Sequence, residues 1–426
     1  MCRWREGSPL SDAQIAEAIA WLIDGARSAQ QPHEVLEQLV PRLIAAGLPL
    51  WRVAVSVRTL HPNVMARRLI WRPDAAVQLD EALYALSEDP EHLASPMTSV
   101  YQSGTVIRRR LVDPDCPMDY GVLPELREQG ITDYLIVPLV FTDGAIHAAS
   151  WSTQAPEGFS DAHVAAIEAI SKPFARVAEI RALRRTAVNL LDAYVGKRSG
   201  ARILAGHIRR GDVETIEAAF WYSDLRDFTA LNEMLAPPDL IALLNDYFEA
   251  VSSAVAARGG EVLQFIGDAA LVVFPARAET GGRRGACQAA LGAALAALDA
   301  AATVNRARAD AGRPTFRFGI GLHVGAVSWG NVGGVDRLGL NVIGPAVNRT
   351  ARIETLTKEV GVPLLLSQDF ADALGLACRP VGTFELKGVP EPQAVYALDD
   401  APVTRSPDPP GAGATGGSSG RGPWRS

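Results

Sequence analysis

The sequence predicts an α/β (α+β) chain whose domains are joined by one long helix, and three observations carry that prediction. Apolar, strand-like runs end twice in a carboxylate: Phe220-Trp221-Tyr222-Ser223-Asp224, and Glu261-Val262-Leu263-Gln264-Phe265-Ile266-Gly267-Asp268. Between Val164 and Tyr194, apolar residues recur every three or four positions, the spacing of a helix. Before it, strand-like runs flank a Thr142-Asp143-Gly144 hairpin turn.

The chain has 426 residues, enough for two or three domains with cores of their own. Its 48% hydrophobic and 21% charged residues are the balance of a soluble globular chain. The net charge of −7 offers no electrostatic footprint for nucleic acid, so none is expected as a partner. Cys2, Cys116, Cys287 and Cys378 lie far apart, which argues against a zinc site or a disulfide framework and favours a reducing cytoplasm. Residues 1–7 lack the apolar core of a signal peptide. The longest apolar run, 289–298, falls short of the ~20 residues of a spanning helix, so no membrane span is expected.

In chain order, residues 11–26 and 32–47 predict two helices. In the second, Val35, Leu36, Leu39, Leu43 and Ile44 keep helical spacing, and Gly47 stands where a C-terminal cap belongs. Strands are expected at 51–57 and 67–71, a polar helix-leaning stretch around Glu88, Asp89, Glu91 and His92, and a strand near 105–111. Residues 134–139 predict a buried strand, which the hairpin turn returns as 145–151. His147 on that second strand is assigned no role. This order, together with Asp133-Tyr134-Leu135-Ile136-Val137-Pro138-Leu139, resembles a GAF-type sensor domain over roughly residues 10–185. The resemblance implies an unknown small-molecule or protein input at a domain bounded as 1–160; the plainer alternative is an α/β domain that only dimerises. No cofactor-attaching cysteine or metal-ligand cluster names what is sensed.

Residues 160–194 read as one long helix begun at Phe159-Ser160-Asp161. Val164, Ile167, Ile170, Phe174, Val177, Ile180, Leu183, Ala187, Leu190 and Tyr194 form a seam close to coiled-coil spacing. Pro173 is expected to kink or break it, and Arg181, Arg184 and Arg185 to face solvent. The helix either pairs with a second copy or packs on its own domain. Lys197-Arg198-Ser199-Gly200 is expected to end it and 201–211 to form a basic connector, so that 161–216 is a helical linker. Residues 401–426, rich in Pro, Gly and Ser, are expected to be disordered.

From residue 217 to about 398 the patterning sharpens. Pro237-Pro238-Asp239 starts a helix with Leu240, Leu243, Leu244, Tyr247 and Val251 on one face, and Gly259-Gly260 stops it. A strand at 261–266 turns at Gly267-Asp268 and returns as 270–274, which brings Asp224 and Asp268 to neighbouring strand ends. A helix follows at 287–305. The next strand alternates Phe316, Phe318, Ile320 and Leu322 with Arg317, Gly319, Gly321 and His323.

Here a second resemblance enters. Tyr222-Ser223-Asp224-Leu225-Arg226-Asp227-Phe228-Thr229 and Phe265-Ile266-Gly267-Asp268 resemble the two metal motifs of class III nucleotidyl cyclases. His323-Val324-Gly325, Gly330-Asn331-Val332-Gly333, the segment from Ile343-Gly344-Pro345 through Asn348-Arg349-Thr350-Ala351-Arg352, and Leu386-Lys387-Gly388-Val389 follow in that family's order. The resemblance implies a ferredoxin-like catalytic domain over 217–400. It also implies that a nucleoside triphosphate becomes a 3',5'-cyclic monophosphate and pyrophosphate.

Asp224 and Asp268 are the hard oxygen ligands that Mg²⁺ or Mn²⁺ prefers, two ions per site. The resemblance adds Leu225 to the metal set, and Phe228, Thr229 and Lys387 to the triphosphate set. Asp224 alone could be a helix cap. Asp227 stands where the family usually has Gly and reads as a solvated helix start. Asn348 and Arg352 lie one turn apart on one helix face; by resemblance they orient the ribose and stabilise charge on the α-phosphate. As a surface arginine, Arg352 would instead pair with Glu354 or Glu359, and Arg349 reads as that kind. In this family the metal carboxylates and the Asn/Arg pair come from opposite subunits, so the resemblance implies a homodimer.

The base-selecting positions depart from the family. Gln264 stands where ATP users have Lys, and Asn341 where they have Asp or Thr; guanylate relatives carry Glu and then Cys or a small polar residue. Two amides can satisfy either purine edge. ATP is favoured because nothing acidic marks a guanine site, and guanylate or dual specificity stays open. So does a non-catalytic nucleotide-binding scaffold. The absence of a Gly-Gly-Asp/Glu-Glu-Phe segment argues against a diguanylate cyclase.

Overall fold

The computed structural model describes residues 9–84, 89, 93–335 and 337–398. Residues 1–7, Glu88, Glu91, His92 and the tail 401–426, all subjects of expectations above, lie outside the described residues. The chain divides into two compact units, Met1–Leu204 and Ala205–Ser426.

The first unit begins with α1 (Asp12–Ile23), which Ser11 caps by accepting from the Gln14 amide, and α2 (Pro32–Ala45). Strands β1 (Arg52–Arg58), β2 (Val64–Trp71) and β3 (Gln78–Leu83) follow, then α3 (Pro96–Ser103), β4 (Ile107–Arg109) and α4 (Val122–Glu128). β5 (Asp133–Val140) and β6 (Ile146–Thr153) form the expected hairpin, and α5 (Asp161–Val195) and α6 (Lys197–Leu204) close the unit. The sheet is antiparallel in the order β3-β2-β1-β6-β5-β4. From Tyr134 to Leu139 β5 carries no charged residue because it is covered on both faces. Leu135, Val137 and Leu139 meet α1, α2 and α5, whereas Tyr134 and Ile136 meet α3 and α4. Asp133, fully buried, accepts from Arg108 Nη2 at 2.7 Å and the Phe159 amide at 3.0 Å, tying β4 and β5 to the start of α5.

The long helix differs from expectation in four ways. Pro173 sits inside a continuous α5 and does not break it. The single seam is two faces: Ile167, Ile170, Phe174 and Val177 are buried in the unit's own core, whereas Ile180, Leu183, Ala187, Leu190 and Tyr194 are exposed. Arg181 does not face solvent, since its Nη2 donates to the Ala29 carbonyl at 2.6 Å. Residues expected to start a connector form α6 instead.

The second unit starts with β7 (Val213–Leu225), longer than the predicted strand, then α7 (Phe228–Met234) and α8 (Pro237–Ala256). β8 (Glu261–Ile266), β9 (Ala269–Pro275), α9 (Gly282–Asp310), β10 (Phe318–Gly333) and β11 (Leu338–Ile343) follow. The unit ends with α10 (Pro345–Val360), β12 (Leu364–Ser367), α11 (Gln368–Leu374), β13 (Arg379–Phe384) and β14 (Gln393–Ala397). The sheet order is β13-β14-β12-β10-β7-β9-β8, with β11 paired to β10. β7 alternates between two cores. Ala219, Trp221 and Leu225 pack with α8 and α9; Ile216, Ala218 and Phe220 lie on the other face, in a cluster with Ala346 of α10. α10 can sit directly on β10 because Gly321 has no side chain: a Cβ there would lie 2.5 Å from the Glu354 nitrogen and 2.6 Å from the Thr350 oxygen.

α9, which contains residues 289–298, is long and apolar enough to cross a membrane by length and composition alone, a test that the buried core helix of a soluble protein also passes. In the structure its face of Ala286, Cys287, Ala290, Ala293, Ala294 and Ala297 is packed in the unit's core.

Candidate active site

Asp224 lies near the end of β7, paired across the sheet with Gly319 of β10 on one side and Ala269 of β9 on the other. The expected adjacency needs one correction. β9, not β8, is the neighbour of β7, and Asp268 reaches Asp224 because it immediately precedes Ala269 in the β8–β9 turn. Gly267 makes that turn at φ +65°. Beneath Asp224, Ser223 Oγ meets the buried Tyr247 hydroxyl at 2.8 Å, which fixes the end of β7 against α8. Asp224 is no helix cap, since Asp227 holds the N-cap position of α7.

Burial and the hydrogen bond and charge of Asp224 push the Asp268 carboxyl up to about 6; its own amide and that of Leu225 pull the other way. Two carboxyl groups this close, one of them part-buried, are a site that a cation would relieve. Among the described residues, no group of three or more His, Cys, Asp or Glu gathers for a metal. The pair therefore fits a hard cation that takes its remaining oxygens from phosphate, water or backbone, and Leu225 is the adjoining backbone.

Two neighbours escaped the sequence reading. Glu354 of α10 is buried and accepts from Arg226 Nη1 at 3.2 Å, while Arg226 Nη2 donates to Thr357 Oγ1. Burial pushes the Glu354 carboxyl up to about 7 against the charge of Arg226, and Asp224 adds to the rise. The Tyr222 phenol, one strand repeat before Asp224, is raised by burial and then by Asp224, Glu354 and Asp268. The cluster fits because Gly319 is a glycine; a Cβ there would collide with Arg226, Thr357 and Glu354. That glycine, opposite Asp224 on an otherwise apolar strand, is the signal that would have located the cluster.

Asn348 and Arg352 are exposed on α10, whose buried residues Ala346, Thr350, Ile353 and Thr357 face the other way, toward the sheet. Arg352 makes no ion pair among the described residues, because Glu354 is taken by Arg226. Arg349 is not the surface arginine expected. Its Nη1 lies 3.5 Å from both Asp369 Oδ2 and His323 Nε2. His323 is buried and bonded to Ser367 Oγ at 2.8 Å; burial, then Arg349 and Arg283, depress its imidazole to about 3.

Asp227 is more constrained than a solvated helix start. It adopts φ +58°, the left-handed region where glycine is at ease, and pairs with Arg317 at 3.3 Å. Phe228 packs partly against the core and Thr229 is exposed in the first turn of α7. Gln264 is exposed on β8, just after a register shift between Val262 and Gln264 that re-aims the strand. Asn341 pairs with Gly330 on the β10–β11 arm. The ladder keeps the two apart, yet Leu263 beside one and Leu340 and Val342 beside the other belong to the same apolar cluster. Lys387 is exposed in the link from β13 to β14, and β12 and β10 stand between those strands and β7, so the structure does not bring it to the carboxylates.

Residues 213–400 match the family model described as Adenylate and Guanylate cyclase catalytic domain. Adenylate cyclase 1 of Rhizobium meliloti (strain 1021) is 32% identical over 228 residues, covering 50% of this chain and 33% of that protein. The adenylate cyclase of Anabaena cylindrica is 31% identical over 199 residues, covering 46% and 37%. The match thus spans about a third of the length of these curated relatives. Among solved structures, the adenylyl cyclase CyaB from P. aeruginosa is 25% identical with a TM-score of 0.41, covering 45% of this chain and 97% of that one. The guanylyl cyclase Cya2 is 30% identical with a TM-score of 0.39, covering 45% and 96%.

Proposed function

We propose that this chain, whose residues 213–400 match the adenylate and guanylate cyclase catalytic-domain model, belongs to that family and converts ATP to 3',5'-cyclic AMP and pyrophosphate. The observation that carries the reading is the meeting of Asp224, at the end of β7, with Asp268, in the turn before β9, where burial and then Asp224 raise the Asp268 carboxyl. Asp224, Asp268 and the backbone of Leu225 would hold two Mg²⁺ or Mn²⁺ ions. When bound, these acidify the ribose 3'-hydroxyl and neutralise the β- and γ-phosphates.

The chain's own side chains do the rest. Asn348 orients the ribose so that its 3'-oxygen lies in line with the α-phosphorus. Arg352 stabilises charge growing on the α-phosphate, as a preorganised guanidinium whose fork is not spent on an internal ion pair. Phe228, Thr229 and Lys387 attend the triphosphate. Because Asn348 and Arg352 point away from the sheet that bears Asp224 and Asp268, a second copy supplies them and the working unit is a homodimer. Gln264 and Asn341 read the base, with ATP favoured; as a pair of amides they support dual specificity as the second reading.

The first unit is read as a GAF-like input domain over 1–160, with 161–216 as its helical link to the catalytic domain. Cytoplasmic placement rests on the wide spacing of the four cysteines in the sequence, with no C-x-x-C pair.

Purified protein given Mn²⁺ with ATP or GTP tests this, with products separated by chromatography. Cyclic AMP is expected, and Asp268→Ala should lower the rate by ~10² or more. A folded dimer that makes no cyclic product from either nucleotide would leave only the scaffold reading.

A further inference from the structure

The first unit holds a cavity of about 750 Å³ bounded by α2, the β1–β2–β3 face and α5. That is within the ~300–1,000 Å³ of small-molecule sites and far beyond a packing defect. Its floor is apolar: Leu36, Val55, Leu69, Phe174 and Val177 line it. Its other lining residues include five arginines, Arg58, Arg67, Arg181, Arg184 and Arg185, against one carboxylate, Glu37. Two of the five are spent locally, Arg67 on Glu81 and Arg181 on the carbonyls of Ala29 and Gln30. The side chains of Arg58, Arg184 and Arg185 are exposed and take no partner among the described residues. A chain of net charge −7 thus gathers free guanidinium groups at the edge of an apolar hollow.

We propose that this cavity binds an amphipathic organic anion, an apolar body carrying one carboxylate or phosphate head. The apolar part displaces water from the floor, where burial of each methylene favours binding. The head meets Arg184 and Arg185, whose planar forks suit bidentate oxyanions. A neutral apolar molecule would leave the guanidinium groups unmatched, and a cation would be repelled. The proposal rests on the reading of the first unit as an input domain only for any effect on catalysis; binding itself does not depend on it.

The test is titration calorimetry on the full chain without nucleotide, using decanoate, decyl phosphate and decanol as probes. Saturable binding of at least one anion is expected, with decanol at least tenfold weaker; the stronger anion identifies the head group. Arg184→Glu with Arg185→Glu should weaken the anion at least tenfold. Ala182→Phe, which fills the cavity from α5, should abolish binding while the unliganded protein melts as before. No saturable heat with either anion, equal affinity for decanol, or full affinity in both variants would overturn the proposal. Because the readout involves no turnover, a catalytically silent protein that binds the anion upholds this site and refutes only the cyclase reading.

Discussion

Glu354 and Arg226 form a buried pair that reaches from helix α10 to the end of β7 beside Asp224. Removing one member leaves the other without compensation. Arg226→Met should therefore destabilise the second unit by about 3 kcal/mol, the low end for a broken buried pair because Glu354 can take up a proton. Urea unfolding reads this, and a loss below about 1 kcal/mol would refute the pair's structural role. His323 supplies a pH test. Its folded value of about 3 lies below the ordinary 6.5, so the unfolded chain binds the extra proton. Its contribution to stability is whole above pH 6.5 and is lost as pH falls toward 3. His323→Gln should flatten that part of the stability–pH curve, and an unchanged slope would show that another group carries it. Neither residue was readable in advance. A charged residue on a helix looks solvated, and only the gap at Gly319 shows that Glu354 turns inward.

At the level of elements, the strand-and-turn devices that deliver Asp224 and Asp268 were legible because two short apolar runs each end at a carboxylate, the second in a glycine-bearing turn. The fate of α5 was not. Apolar spacing says that a face is covered, never by what. Its first half is covered by α1, α2 and the sheet, whereas one face of its second half is exposed among the described residues. Ile180, Leu183, Ala187, Leu190 and Tyr194 alternate three and four apart, and Leu183 and Tyr194 are 63% and 81% exposed. In the proposed homodimer this face is the seam that a second copy covers. Leu183→Glu with Leu190→Glu should weaken dimerisation by about tenfold or more, some 1.4 kcal/mol, in analytical ultracentrifugation. An unchanged profile would assign the dimer contacts elsewhere.

For the molecule as a whole, a shared site makes a sharp prediction. Asp268→Ala and Arg352→Ala should each be inactive alone. Mixed in equal amounts and allowed to exchange, they should regain about one quarter of wild-type activity, because half of the dimers are mixed and each of those has one intact site. No recovery after demonstrated exchange would mean that each chain completes its own site. The outward face of α10, with Asn348 and Arg352 turned from their own sheet, also has a consequence for quantity. Were the proposed homodimer the working unit, then below its dissociation constant cyclic-nucleotide output would rise with the square of protein concentration, and halving the supply of this chain would quarter it.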